Sequence, residues 1–246
     1  MIHHDVDQNT REWQNLRLGL ATSSAFHRIM TPKKRQLSAQ ADDYMYALLA
    51  EWISGEPLEG EYHSPWMERG QALEDQAIAA YEGLTGRDTE RGGFWTTDDG
   101  MIGCSPDRIV SDDGLLEIKC PLLPRQVAEA LGNVVSDEHQ AQLQGQMMIS
   151  ERKWVDVFSF HPLLILEPRR ILRNEDFIAD LRRILTSFIE VMLKARQELL
   201  ARYGPFHRPS WSMHAAPALE AGDSRDFVTD QDVEDILREQ RERREL

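Results

Sequence analysis

Apolar and polar positions recur along this chain with two different periods, and the changes of period mark its elements. Tyr44, Leu48 and Leu49, with Trp52 or Ile53, fall at helical spacing in a segment that Gly55 and Pro57 close, which predicts a helix over 41–52. A second helix opens at Pro65, carries Met67, Leu73, Ala77, Ile78 and Tyr81 on one face, and ends near Gly83 and Gly86. A third spans Glu138 to Ile149 with Ala141, Met148 and Ile149 turned inward; Gln142 and Gln144 fall on different faces of it, because two residues rotate a helix by about 200°. The longest is capped by Asn174. Its stripe runs through Phe177, Leu181, Ile184, Leu185, Phe188 and Met192 until Gly204–Pro205 stops it. Strand-like runs occur at Gly92–Thr97 and at Trp154–Phe160, WVDVFSF, which turns at His161–Pro162 and pairs back through Ile165–Leu172.

Between those runs lies GCSPDRIVSDDGLLEIKCP, Gly103 to Pro121. Ile109 and Val110 form one short apolar run; Leu115, Leu116 and Ile118 form the other. Asp112, Asp113 and Gly114 are turn chemistry, with Gly114 suited to a positive φ, so the segment predicts a β-hairpin. Folded there, Asp107 lies opposite Glu117 and shares its face, and strand alternation adds Lys119 to that face. Charges on an interior strand are costly unless paired or used to hold a cation. Two carboxylates with a nearby ammonium suit Mg²⁺ or Mn²⁺ and the hydrolysis of a phosphodiester. From these residues alone a second reading stands beside it: an exposed hairpin with a surface Glu–Lys pair.

Upstream, Trp13–Leu20 reads as a short helix or turn that breaks at Gly19. Thr22, Ser23 and Ser24 then form an N-cap cluster ahead of the apolar AFHRIM. Hydroxyls and free N–H groups at a helix N-terminus suit a phosphate; a plain helix cap is the other reading. Pro121, Pro124 and Gly132 read as an irregular link.

SPD…LEIKCP resembles the signature of the PD-(D/E)xK nucleases, and in detail the phage lambda-type exonuclease family, also called the YqaJ viral recombinase family. WQNLRLGLATSSAFHRIM (Trp13–Met30), RGQALEDQAIAAYEGLTG (Arg69–Gly86) and AQLQGQMMIS (Ala141–Ser150) are similar to that family's other blocks, in the same order. The resemblance covers about Asp5 to Tyr203. It implies an α/β fold with a restriction-endonuclease-like core, a central mixed β-sheet flanked by helices. It also implies a Mg²⁺-dependent 5′-to-3′ exonuclease acting on linear double-stranded DNA from 5′-phosphorylated ends, with Mn²⁺ an acceptable substitute. Mononucleotides are the implied product, and 3′ overhangs are left for single-strand annealing recombination. Carried over position by position, Asp107, Glu117 and the carbonyl of Ile118 bind two metal ions with support from Glu74. Lys119 orients and helps deprotonate the water or stabilises developing charge, and Gln142 bonds the water or a phosphate oxygen. Arg17, Ser24 and Ser105 match the 5′-phosphate pocket. Met67 matches an apolar wedge at the duplex junction, and Arg125 a basic residue after the K-C-P block. Lys33, Lys34 and Arg35 form a basic loop placed to touch DNA or simply to be solvated. His139 stands where relatives often carry tyrosine. The implied partners are a single-strand annealing protein and two further copies of the chain in a trimeric ring. Two other classes remain compatible with the residues: a structure- or sequence-specific endonuclease, and a non-catalytic DNA-end-binding protein.

Composition narrows this only a little. A net charge of −14 over 246 residues argues against a protein that simply coats nucleic acid, but not against a nuclease whose acids sit at a cation site and on its outer surface. Two cysteines, Cys104 and Cys120, make no disulfide framework and read as reduced thiols facing away from Asp107 and Glu117. With no secretory pattern and no spanning apolar stretch, the expected location is the cytoplasm of a bacterial host, from a phage or prophage gene. The nuclease domain is expected over 1–204. Residues 205–246, rich in Pro, Ala, Ser and Gly and then in alternating acids and arginines, read as a partly flexible extension with a short helix near Asp230–Leu237.

Overall fold

The structure is a computed structural model describing residues 1–58, 65–132 and 138–206, with the side chains at 65–68, 70, 71 and 138 left out. The helix expected at Asp230–Leu237, and nearly all of the expected extension, lie outside the described residues. β1 (Ile2–His4) and α1 (Arg11–Arg17) lead into β2 (Ala21–Thr22). A 3₁₀ turn at Ser23–Ala25 feeds α2 (Phe26–Ile29), a small hairpin of β3 (Met30–Thr31) and β4 (Gln36–Leu37), and then α3 (Ala41–Ser54) and α4 (Pro65–Thr85). Five strands follow: β5 (Thr89–Arg91), β6 (Phe94–Thr96), β7 (Ile102–Cys104), β8 (Arg108–Val110) and β9 (Gly114–Lys119). After them come α5 (Leu123–Ala130), α6 (Glu138–Ser150), β10 (Trp154–His161), β11 (Leu164–Ile165), β12 (Arg169–Leu172) and α7 (Glu175–Tyr203).

The central sheet runs β11-β10-β9-β8-β5, with β12 also pairing β10. It is mixed: β9 and β10 are parallel, the other neighbours antiparallel. A parallel pair needs a crossover, and here α5 and α6 supply it. The sheet is therefore covered on both faces. Leu116, Val110 and Phe158 pack with Ala77 and Tyr81 of α4 on one. Ile109, Leu115, Val155 and Val157 pack with Leu143 and Met147 of α6 on the other. The largest cluster joins α2, α3, α6 and α7 through Phe26, Tyr44, Leu48, Ile149, Leu181, Leu185 and Phe188.

A second sheet, β1-β6-β7-β2, lies beside the first. The strand expected at Gly92–Thr97 is β6, which pairs with β7 in the second sheet; the sequence reading did not anticipate β5 just before it, which pairs with β8 in the central sheet. Two segments change sheets together, one at Gly92–Gly93 and the other at Ser105–Pro106. They cross so closely that a Cβ on Gly92 would lie 1.8 Å from the Pro106 carbonyl oxygen. Gly93 turns the chain there with φ +66.

Other expectations shift in detail. The positive φ of the β8–β9 turn falls on Ser111, not Gly114. Gly114 is needed for another reason: it pairs with both Val110 and Trp154, and a Cβ on it would meet the Trp154 indole at 2.1 Å. Asn174 caps α7 as expected, its Oδ1 accepting from the Phe177 N–H at 3.0 Å. The Thr22–Ser24 hydroxyls make no such cap, since a single 3₁₀ turn intervenes before α2. The link at Pro121–Gly132 contains α5, with Pro124 in its first turn where the missing N–H costs nothing.

Candidate active site

The β8–β9 hairpin has the expected register. Arg108 pairs with Leu116, Ile109 with Leu115 and Val110 with Gly114, so Asp107 stands next in line opposite Glu117. The Asp107 carboxylate accepts from the Ile118 N–H at 2.6 Å. Leu115 shows which face is which. It packs against α6, and Glu117 and Lys119 follow it on that side.

Glu117 is 3 % exposed. Its Oε1 accepts from Lys119 Nζ at 2.6 Å and from Gln142 Nε2 at 2.8 Å, and its Oε2 from Gln146 Nε2 at 2.7 Å. These donors occupy three of about four acceptor positions on the carboxylate, leaving room for one more electrophile. Burial pushes the Asp107 carboxyl well above its ordinary range, and the Glu117 charge pushes it further; Lys119 and the Ile118 N–H oppose the shift. Glu74 comes from α4, where Leu73 beside it packs on the opposite face of the sheet. Its carboxyl is raised by burial and by Asp75, and its charge reaches Asp107. Burial pulls the Lys119 ammonium down, but Glu117 and Asp107 outweigh it and the net shift is up.

Asp107 and Glu117 thus face one ammonium at the carboxyl end of β9, with Glu74 within electrostatic reach of Asp107. Among the described residues no three His, Cys, Asp or Glu side chains stand close enough together to enclose a cation. The donor set still fits a hard divalent ion of the Mg²⁺ kind. Such an ion keeps several waters and needs only one or two carboxylates besides substrate oxygens, and it relieves the repulsion between Asp107 and Glu117.

Two of the three 5′-phosphate candidates, Arg17 and Ser105, meet next to this acidic end. Trp13 joins them: its indole N–H donates to Ser105 Oγ at 2.7 Å, and the Arg17 guanidinium lies over its ring, 4.1 Å from the centroid. Ser24 is exposed, and its hydroxyl lies 3.4 Å from that of Thr22, which pairs with Gly103 just before Ser105. Ser105 is two residues from Asp107, at the point where the chain changes sheets.

Residues 12–153 match the YqaJ-like viral recombinase domain. The chain belongs to that family. The structure of this recombinase-family chain is similar to that of the alkaline exonuclease LHK-Exo from Laribacter hongkongensis: 28% identity, 78% of this chain and 97% of that one covered, TM-score 0.71. The same figures hold for LHK-Exo in complex with dAMP. A phage related exonuclease from Haemophilus somnus 129PT shares the fold at 15% identity, with 73% of this chain and 96% of that one covered and a TM-score of 0.59. No curated protein matches the sequence.

The remaining site candidates of this recombinase-family chain scatter. Lys33 and Lys34 are exposed in the β3–β4 turn. Arg35 is engaged within the fold, 3.5 Å from Asp180 and over the Phe177 ring. Arg125 is exposed and pairs with Glu129 one turn along α5 at 3.1 Å. His139 is half-buried in the first turn of α6. The Met67 side chain lies outside the described residues. Cys120 packs on the α4 face, as alternation predicts. Cys104 does not follow, since Ser105–Pro106 interrupts the strand and carries no parity across; it is buried beneath α6, where burial and the Glu117 charge raise its thiol.

Sequence reasoning missed Gln146, Trp13 and Gly92. The i, i+4 spacing of Gln142 and Gln146 was the one signal for Gln146. The contacts of Trp13 and Gly92 join distant segments, 92 residues apart for Trp13 and at a sheet crossing for Gly92, and the sequence offers no local signal for either.

Proposed function

We propose that the chain is a Mg²⁺-dependent exonuclease that degrades linear double-stranded DNA 5′ to 3′ from 5′-phosphorylated ends, releasing mononucleotides and leaving 3′ single strands. One observation carries the reading: the segment Ser105–Pro106–Asp107 joins an acidic centre of phosphodiesterase type to a cationic, hydroxyl-lined cluster suited to a phosphate. Two residues of extended chain span at most roughly 7 Å, close to one nucleotide of DNA backbone. A terminal phosphate held at Ser105 then leaves the next phosphodiester near Asp107. The relative's complex with dAMP, a mononucleotide, supports this product.

Asp107, Glu117 and the Ile118 carbonyl would hold two divalent ions with support from Glu74; Mn²⁺ suits the same oxygens. Bound there, the ions supply Lewis-acid stabilisation of the attacking and leaving oxygens. Lys119, donating to Glu117 at the open end of the strand, stabilises charge on the phosphate. Gln142 is half-buried, so its amide is placed to exchange Glu117 for a water or a phosphate oxygen. Arg17, Ser24 and Ser105 hold the end and set polarity, with Trp13 fixing both Arg17 and Ser105. A homotrimeric ring around the duplex, a single-strand annealing partner and a bacterial cytoplasm complete the reading. Among the described residues no helix is long and apolar enough to cross a membrane.

The test is linear duplex labelled at either its 5′ or its 3′ ends, alongside closed circular DNA, in Mg²⁺ and in chelator. Expected are Mg²⁺-dependent release of 5′ label as mononucleotide, retention of 3′ label on long strands, and intact circles. Cut circles would replace the reading with an endonuclease, and bound but uncut ends with a binding protein.

A further inference from the structure

We infer that Gln146 is a positioning residue for Glu117: its buried amide sets the orientation of the carboxylate that is to receive the cation. The inference rests on the metal-dependent reading above. Gln142 and Gln146 lie one turn apart on α6, so both amides point at the same strand. Each takes a different oxygen of Glu117, at 2.8 Å and 2.7 Å. Their surroundings divide the work. Gln142 is half-buried and free to turn toward an incoming molecule, whereas Gln146 is 0 % exposed and has nowhere else to turn.

Packing alone does not account for an amide at this position. The Gln146 Oε1 atom is buried and has no hydrogen-bond partner among the described residues. A half-satisfied amide in the interior is unfavourable, and the neighbouring buried positions Leu143 and Met147 show what packing alone selects here. Gln144, in contrast, uses both ends of its amide: it donates to the Leu172 carbonyl at 3.0 Å and accepts from the Asn174 N–H at 2.9 Å. That glutamine ties α6 to β12 and α7; the Gln146 amide ties it to Glu117. The helix cannot drift from this register, because Gly145 meets the Phe26 ring where a Cβ would come within 2.6 Å. Hydrogen bonds of this kind orient a carboxylate toward its cation, and their loss typically weakens affinity or activity by about 10–100-fold.

The test compares the unmutated chain with Gln146→Met and Gln146→Leu, which fill similar volume without an amide, and with Gln144→Met. Mn²⁺ binding without DNA is measured by titration calorimetry, folding by thermal melting, and turnover on 5′-phosphorylated duplex as separate kcat and KM. Expected for both Gln146 variants are a melting transition that stays cooperative, Mn²⁺ affinity and kcat each lower by about tenfold or more, and an unchanged KM. Gln144→Met should lower Tm with Mn²⁺ affinity kept. Unmutated affinity and kcat in a folded Gln146 variant would overturn this inference alone. Failure of the unmutated chain to take up Mn²⁺ would overturn the metal-dependent reading and the inference together.

Discussion

Two carboxylates lie buried on adjacent paired strands, and they are solved in opposite ways. Glu117 on β9 and Asp156 on β10 are each 3 % exposed. Asp156 is closed off. Arg170 grips it with two hydrogen bonds of 2.8 Å, and Tyr81 donates to it at 2.8 Å. Arg87 stands 3.7 Å away. Arg170 also lies over the Trp154 ring at 3.5 Å, and Tyr81, its phenol pushed up to about 12 by burial and by Asp156, stays a neutral donor. The Asp156 charge is more than compensated there by the two guanidinium groups. Glu117 has one ammonium and two neutral amides, with Asp107 opposite and Glu74 within electrostatic reach. Its surroundings are short of positive charge. Burial by itself therefore does not mark a functional acid. An unbalanced buried acid near an open strand end does, because that imbalance is what a cation relieves.

The contrast can be tested from both sides. The largest effect expected is on turnover: Glu117→Gln and Asp107→Asn should each lower kcat by about a thousandfold or more, the loss of several kcal/mol of charge stabilisation, while melting stays near that of the unmutated chain. An active Glu117→Gln enzyme would remove the distinction between the two acids. Asp156→Ala should do the opposite, costing roughly 3 kcal/mol in denaturant unfolding because Arg170 and Tyr81 lose their partner, with turnover per folded molecule kept. Gly92→Ala tests the crossing that delivers Asp107. Its methyl group meets the Pro106 carbonyl, so about 2 kcal/mol of stability should go together with activity. A smaller effect is expected in the phosphate cluster. Arg17→Ala should reduce the preference for 5′-phosphate over 5′-hydroxyl ends by about tenfold, the worth of one charge-assisted hydrogen bond. Equal rates on both ends with the unmutated chain would sink that assignment.

One half of this contrast is legible in the sequence. Local rules reach the β8–β9 register, the pairing of Asp107 with Glu117, and the face shared by Glu117 and Lys119, because alternation and turn position act over a few residues. The same rules read Asn174 as a cap and α3, α4, α6 and α7 as helices. They fail where a contact joins distant parts of the chain. Gly92–Gly93 reads as the start of a strand, yet it is where the chain passes from one sheet to the other against Pro106. Gln146 looks like one more polar residue of α6, and Asp156 like the polar half of an alternating strand.

What the sequence by itself determined is therefore the kind of chemistry available: two acids and a lysine on one hairpin face, and an arginine with hydroxyl groups ahead of a short helix. These follow from backbone periodicities that every residue obeys locally. The tertiary structure decided which groups are balanced and which are not. The electrostatic state of a buried carboxylate depends on the partners that packing brings to it, from α6 for Glu117 and from α4 and β12 for Asp156, and no local period in the chain encodes their approach.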